Sequence, residues 1–542
     1  MSVADTTVSR IGGHLVAESL HALGAQVAFG VPGIHSLAIW EALRTSPVEV
    51  YGTRTELAAG FAADGFARST GRPTPMLLST GPGALNSLTA VMEAASSHVP
   101  LVAISSQIPS HLVGAGRGFL HELPDQLASF RPLVKHAARA ESIASIPDAL
   151  AQAWQAAVTP PSGPVYVEIP VDLLRGEARG SAVTSLETPP TPLAARREAL
   201  LAAAAELEHA ERPVIWAGGG VLRSGAQTEL RELAERLDAP VATTYMGKGA
   251  LAGDHPLAAG SGCDEAPLQE LLAGADVLLC VGTELGAQTT GQYELRLEGR
   301  VIHLDADPAR IGVSYPALAL VGDAKLTLRE LIGELTARSR PGTAERIAEL
   351  RGRIRNGLQA QGRQTELGLL ETIEAALAPD AITAWDMTIL SYWAAPHLRL
   401  WAGQQFLYPL GSGTLGYAWP AAIGASIAHP GRQVLAVVGD GGLQYSLAEL
   451  GTAAQHRLAA KLLVVDDGGY GILREYQRDA FGQTTAVELP AGDLAAVAEA
   501  FGVPVATATP DDLGERLGWA LRQPGPAAVV LRTKIAAAQP TG

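Results

Sequence analysis

The chain is 542 residues long, 47% hydrophobic and 18% charged, with a formal net charge of -15. That length exceeds one ordinary hydrophobic core and implies roughly three or four domains. The acidic balance is spread without a long acidic run, which speaks against nucleic acid and anionic membrane as partners. Cys263 and Cys280 form no CxxC pair or Cys/His cluster, so zinc and disulfide frameworks are not expected. Met1 to Arg10 is polar, and no apolar run reaches the roughly 18 residues a membrane helix needs. A soluble, cytoplasmic protein is the expectation.

Apolar runs alternate with helical patterns from the start. Val27–Val31, Met76–Ser79, Leu101–Ser105 and Val165–Ile169 read as buried strands, with helical periodicity over Gly12–Leu23 and Glu56–Ser69 between them. Arg175–Pro192, rich in Gly, Ser, Thr and Pro, reads as a linker. A second block carries strands at Val214–Ala217, Pro240–Thr243, Val277–Val281 and Val301–Leu304. A charged helical segment, Ala344–Gly357, leads into a third block with strands at Ala381–Trp385, Val434–Val438, Leu462–Val465 and Ala527–Leu531. The expectation is an α/β protein of three doubly wound parallel-sheet domains, at 1–175, 193–335 and 361–542.

The strongest chemical signal lies in the third block. One apolar strand ends in Gly439-Asp440-Gly441-Gly442, and the next ends in Asp466-Asp467-Gly468-Gly469, with Asp440 and Asp467 27 positions apart. A strand–helix–strand crossover brings two such strand ends to the sheet edge where ligands bind. Carboxylate and carbonyl oxygens suit a hard cation such as Mg²⁺, which commonly bridges protein to ligand phosphates. Glycines let the backbone approach a diphosphate, and helix-start N–H groups can receive it. Either motif alone reads better as a turn after a strand. Both together, at this spacing, favour the paired site.

These residues resemble the metal motif of the thiamine-diphosphate enzyme family, and the resemblance extends over nearly the whole chain. By that resemblance Asp440 and Asp467 give side-chain oxygens to the metal and Gly469 a carbonyl. Gly439, Gly441, Gly442, Tyr470 and Gly471 flank the diphosphate. Asp466-Asp467 stands where the family usually has two asparagines. Gly52-Thr53-Arg54-Thr55-Glu56 and the Ala59–Gly65 run resemble the segment bearing the activating glutamate, so Glu56 is the candidate to drive formation of the imino tautomer of the cofactor. Its apolar helix start implies burial and proton sharing. A first-turn carboxylate is the plain alternative. Thr80-Gly81-Pro82-Gly83-Ala84-Leu85-Asn86 and Gly411-Ser412-Gly413-Thr414-Leu415-Gly416 resemble the two loops around the pyrimidine. The resemblance gives Pro32 and Asn86 to the pyrimidine pocket, Gly413 a carbonyl for the exocyclic amine, and Leu415 the ring-bending prop. The first and third blocks become the pyrimidine-binding and diphosphate-binding domains. A homodimer or homotetramer, with active sites at subunit interfaces, is implied.

Within the family the fit is to the acetolactate-synthase-like branch, with departures. His35 stands where acetolactate synthases usually carry glycine, and it could shuttle a proton. Gly118-Phe119-Leu120-His121-Glu122-Leu123 replaces a Phe-Gln-Glu stretch, so His121 and Glu122 either face the substrate or cap a loop. Tyr470, Leu473 and Tyr476 form either a substrate lid or a core helix. In the middle block Ala217-Gly218-Gly219-Gly220, Thr244–Gly249 and His303–Pro308 resemble the domain that holds FAD in acetolactate synthases. Gly282-Thr283-Glu284-Leu285 lacks the expected Arg-Phe-Asp-Asp run, which leaves FAD as an alternative. The expected function is C–C bond cleavage or formation on a small 2-oxo acid or hydroxyketone, using thiamine diphosphate and Mg²⁺. The departures resemble decarboxylases of larger oxo acids such as the guanidino type. An FAD-containing acetolactate synthase and a non-catalytic paralogue are the alternatives.

Overall fold

Runs of Val, Ile, Leu and Ala with both faces covered settle into parallel strands, because only a buried sheet flanked by helices hides such runs completely. The computed structural model describes residues 10–179, 182, 191–490, 492–537 and 539–541. The first sheet is built from β1 (Val27–Gly30), β2 (Glu49–Gly52), β3 (Thr74–Leu78), β4 (Leu101–Gln107), β5 (His136–Arg139) and β6 (Val165–Pro170). The second has β7 (Pro213–Ala217), β8 (Val241–Thr243), β9 (Ala258–Gly260), β10 (Val277–Val281), β11 (Arg300–Asp305) and β12 (Ala317–Val321). The third has β13 (Ile382–Trp385), β14 (Gln405–Leu407), β15 (Val434–Gly439), β16 (Lys461–Asp466), β17 (Val505–Ala508) and β18 (Ala527–Arg532).

The strand order is β2-β1-β3-β4-β6-β5 in the first sheet and β14-β13-β15-β16-β18-β17 in the third. Counted within each sheet, the two orders are the same. The second sheet runs β12-β11-β10-β7-β8-β9, the dinucleotide-fold order of 3-2-1-4-5-6 read from its far edge. Alternate residues feed two cores on opposite faces. In the first sheet Leu77, Val102, Ile104 and Val167 go to one, and Phe29, Met76, Leu78 and Tyr166 to the other. The sheets are therefore doubly wound, as expected.

By contact the chain forms two compact units. One joins the first sheet's region to Pro409–Pro430 and Ser446–Leu458, and the other holds the second and third sheets. In the first unit, helix Ala418–Ala428 crosses helix Glu56–Thr70 at two glycines. A Cβ at Gly65 would lie 2.1 Å from the Ala421 carbonyl oxygen, and one at Gly424 would overlap the Ala62 carbonyl. Any larger residue at either position would push the helices apart. The charged segment forms helix Thr343–Ala360, as the periodicity predicts. Residues 180, 181 and 183–190 of the predicted linker lie outside the described residues.

Candidate active site

In the first sheet the strand order reverses between β1 and β3, the place where open α/β sheets bind ligands. After β1, Gly33 has no room for a side chain, since a Cβ there would sit 2.2 Å from Ser79 Oγ. After β3, Gly81 turns at φ +65°, a conformation suited to glycine. Glu56 opens its helix next to this turn, with the Thr55 side chain capping the Ala58 N–H. Asn86 Nδ2 donates to Glu56 Oε2 at 3.3 Å, and Glu56 Oε1 lies 3.2 Å from where a Cβ on Gly83 would stand. Ser79 Oγ is buried beside them without a hydrogen-bond partner among the described residues. Glu56 is half-buried rather than sequestered, because Asn86 and Pro82 next to it are exposed.

His35 is 6% exposed, with its ring 5.2 Å from His121 in a T-shaped contact and 5.8 Å from Phe119. Burial first, then the neighbouring His121 and Arg175, hold its imidazole below the usual histidine range. Nδ1 of both histidines is buried and has no hydrogen-bond partner among the described residues. His121 adopts φ +68°, a costly conformation for a residue with a Cβ. Glu122 accepts from the Gly116, Arg117 and Phe119 N–H groups, which pull its carboxyl below the usual range. It organises the loop, and His121 is the member of that pair beside His35. Pro32 lies exposed on the loop between β1 and His35.

The loop with Gly413 and Leu415 is held from below. Ser412 donates both its N–H and its hydroxyl to Glu93 Oε2, each at 2.7 Å. Fully buried Glu93 also pairs with Arg68 at 2.7 Å, Arg68 pairs with Asp64 at 2.6 Å, and Tyr417 donates to Asp64 at 2.8 Å. Leu415 is half-buried and Gly413 exposed at φ +66°.

The third sheet repeats the reversal between β13 and β15. The register pairs Gly439 with Val465, so Asp440 and Asp466 leave adjacent strand ends. Asp440 is 1% exposed, and among the described residues neither carboxylate oxygen has a hydrogen-bond partner. Burial, then the charges of Asp467 and Asp466, push it up to about 7. A buried carboxylate with two orphaned oxygens fits a cation site, because leaving such acceptors unpaired is costly. Gly441 leaves room for the Tyr470 ring, 2.7 Å from a would-be Cβ, with the Gly469 carbonyl at 3.5 Å from the same point. Gly471 likewise makes way for Asp467 Oδ2. Gly469 N–H donates to Asp467 Oδ1 at 3.2 Å. Among the described residues no three His, Cys, Asp or Glu side chains are grouped to hold a metal. A cation here would take two carboxylates and a carbonyl, with ligand oxygens completing its shell.

Three neighbours were not singled out from the sequence. Gly439 packs on Thr388, and Gly442 sits 3.2 Å, at a would-be Cβ, from the fully buried Asp386 carboxyl. Asp386 directly follows the apolar strand β13, and that was the available signal. Arg474 lies 3.9 Å from Asp467 and binds Glu488 through two bonds of 2.8 and 3.0 Å. In helix Gly471–Phe481 only Gly471 and Arg474 are buried, while Leu473, Tyr476 and Phe481 are exposed. This apolar face is no core helix.

In the second sheet, Gly218 N–H donates to the Val281 carbonyl at 2.8 Å and Gly220 N–H to the Gly282 carbonyl at 2.9 Å. Those two donors hold the turns together. Arg310 pairs with Glu284 at 3.5 Å.

Three family models match the chain: the N-terminal TPP binding domain of thiamine pyrophosphate enzymes at residues 10–129, their central domain at 200–331, and their C-terminal TPP binding domain at 386–531. The chain is 37% identical over 508 residues to a probable 2-ketoarginine decarboxylase of Pseudomonas aeruginosa, covering 93% of this chain and 90% of that one. It is 32% identical over 537 residues to a probable acetolactate synthase large subunit of Methanocaldococcus jannaschii, covering 93% and 89%. It is 34% identical over 490 residues to an acetolactate synthase of Mycobacterium bovis, covering 86% and 77%. The chain belongs to the thiamine pyrophosphate enzyme family, in its acetolactate-synthase-like branch. No described helix is long and apolar enough to cross a membrane.

Proposed function

We propose that the protein is a thiamine-diphosphate- and Mg²⁺-dependent decarboxylase of 2-oxo acids larger than pyruvate, with carboligation as the alternative fate of the same site. The observation that carries this reading is the Glu56 carboxylate, held by Asn86 beside Gly83 at the switch point of the first sheet. When bound, thiamine diphosphate supplies a nucleophilic carbon and a sink for the electron pair released as CO₂ leaves.

The chain's residues take the remaining tasks. Glu56 holds the proton at the pyrimidine nitrogen, and Asn86, Pro32, Gly413 and Leu415 orient that end. Asp440, Asp467 and the Gly469 carbonyl hold Mg²⁺. Gly439, Gly441, Gly442, Tyr470 and Gly471 border the diphosphate. His35, beside His121, shuttles a proton to the reacting oxygen during addition or product release. The 2-ketoarginine decarboxylase named among the relatives supports a large oxo acid as substrate. Exposed Ile34, Leu37 and Leu85 on segments around the Glu56 site support burial of this edge in a homodimer or larger homo-oligomer.

The test is a panel of 2-oxo acids, from pyruvate to 5-guanidino-2-oxopentanoate, with CO₂ and products followed by mass spectrometry. CO₂ with the matching aldehyde is expected from the larger acids. Acetolactate from pyruvate as the main product would transfer the protein to the synthases. No CO₂ from any acid would contradict the proposal.

A further inference from the structure

In the unit that carries the second and third sheets, a cavity of about 430 Å³ opens beside β8 and β9, walled by helices Thr343–Ala360 and Gln364–Ala376 and by residues 396–400. Its size is that of a small-molecule site. None of the strand-end residues at Asp440 or Asp467, and none of the turns Gly218–Gly220 and Gly282–Leu285, lines it.

Its wall is apolar where Leu251, Leu358, Leu370 and Leu400 meet, and each of these is less than a tenth exposed. The charged groups divide into two sets. Arg355 is paired with Glu371, and Arg399 binds Glu374 through its backbone N–H and its guanidinium. Lys248 and Arg351 are different. Lys248, 6% exposed, donates to the Leu398 carbonyl at 2.7 Å, and Arg351, half-buried, donates to the Gly253 carbonyl at 3.1 Å. Neither makes an ion pair with a carboxylate among the described residues. Glu374, the acid acting on Lys248, is already engaged by Arg399. Asp254 is exposed at the rim.

Burial pushes the Lys248 ammonium down to about 7 and the Arg351 guanidinium below its usual range. Both groups are thus held where charge is costly, Arg351 on a carbonyl and Lys248 on a carbonyl with its Nζ 5.8 Å from the centre of the Phe406 ring. A lysine on a single carbonyl keeps two N–H donors in hand, and an arginine has five in all. We propose that this cavity binds a small organic anion, its oxyanion head taken by Lys248 and Arg351 and its aliphatic body by the leucine wall. The oxyanion is a carboxylate or a phosphate.

The test uses the full chain without added cofactor and measures binding of 4-methylpentanoate and of inorganic phosphate by calorimetry. Lys248→Met and Arg351→Met are compared with wild type, and Arg179→Gln, outside the cavity, serves as control. At least one probe binds at one site per chain, and the tighter one tells carboxylate from phosphate. Lys248→Met weakens it at least about tenfold, the scale of one charge-assisted hydrogen bond. Arg351→Met weakens it several-fold, and the control leaves it unchanged. Without ligand, Lys248→Met melts at or above the wild-type temperature, since it removes a buried ammonium that makes no ion pair among the described residues. Absence of heat with both probes up to millimolar concentration overturns the proposal. So does binding that neither variant weakens, or a lowered Tm in both variants that accompanies lost binding.

Discussion

The first and third sheets share one strand order and one place of reversal, yet their strand ends carry opposite chemistry. At the first reversal the residues are Gly33, Ser79 and Gly83, with Glu56 as the one carboxylate among them. At the third reversal Asp386, Asp440, Asp466 and Asp467 crowd together, with Arg474 and Lys534 as nearby cations. The fold provides a crevice in both cases. Side chains decide that one suits an uncharged ring and the other a cation with phosphates.

Substitutions sharpen that contrast, in decreasing order of effect. Glu56→Gln is expected to cut turnover ~100-fold or more while leaving cofactor affinity nearly intact, since it removes only proton transfer. Loss of cofactor binding in a titration would instead make Glu56 a binding group. Asp440→Asn is expected to do the reverse, weakening Mg²⁺-dependent cofactor binding by ~100-fold, at the top of the range seen around metal sites. Unchanged Mg²⁺ affinity by calorimetry would remove Asp440 from the metal. Arg474→Met is expected to weaken diphosphate binding roughly tenfold by removing the stronger of the two cations acting on Asp467. In an Asp467→Asn background the same change costs little. Equal losses in both backgrounds would show that Arg474 acts through Glu488 alone.

Two smaller effects probe the first unit. Ser412→Ala removes a hydroxyl bond to buried Glu93 and is expected to cost about 1–2 kcal/mol in unfolding free energy. A wild-type denaturation midpoint would mean that the backbone N–H suffices. His35 is held below the usual histidine range, so the folded state binds fewer protons than the unfolded chain just under pH ~6.5. Stability should therefore fall as pH drops from that value towards the folded pKa. Replacing His35 with Asn should flatten this part of the profile, and an unchanged slope would place the titrating group elsewhere.

Much of the fold was legible because interior parallel strands must be apolar on both faces. The twelve runs read from the sequence are the interior strands β1, β3, β4, β6, β7, β8, β10, β11, β13, β15, β16 and β18. The six edge strands escaped notice, since Glu49–Gly52, His136–Arg139, Ala317–Val321 and Val505–Ala508 are half-exposed and Ala258–Gly260 and Gln405–Leu407 are only three residues long. Asp440 and Asp467 were legible as acids placed directly after strands. Glu93 and Ser412 were not, because 319 residues separate partners that only the fold unites. The exposed side of Glu56 was equally hidden, being set by Asn86 and Pro82 across a turn.

The proposed reaction depends on Glu56 as the group that moves the activating proton. Hydrogen–deuterium exchange at the thiazolium C2 of thiamine diphosphate, read by NMR after acid quench, tests this directly in wild type and Glu56→Gln with Mg²⁺. Fast exchange is expected on the wild-type protein, and exchange near the free-cofactor rate on a variant that still binds the cofactor. Wild-type exchange on Glu56→Gln would contradict this role.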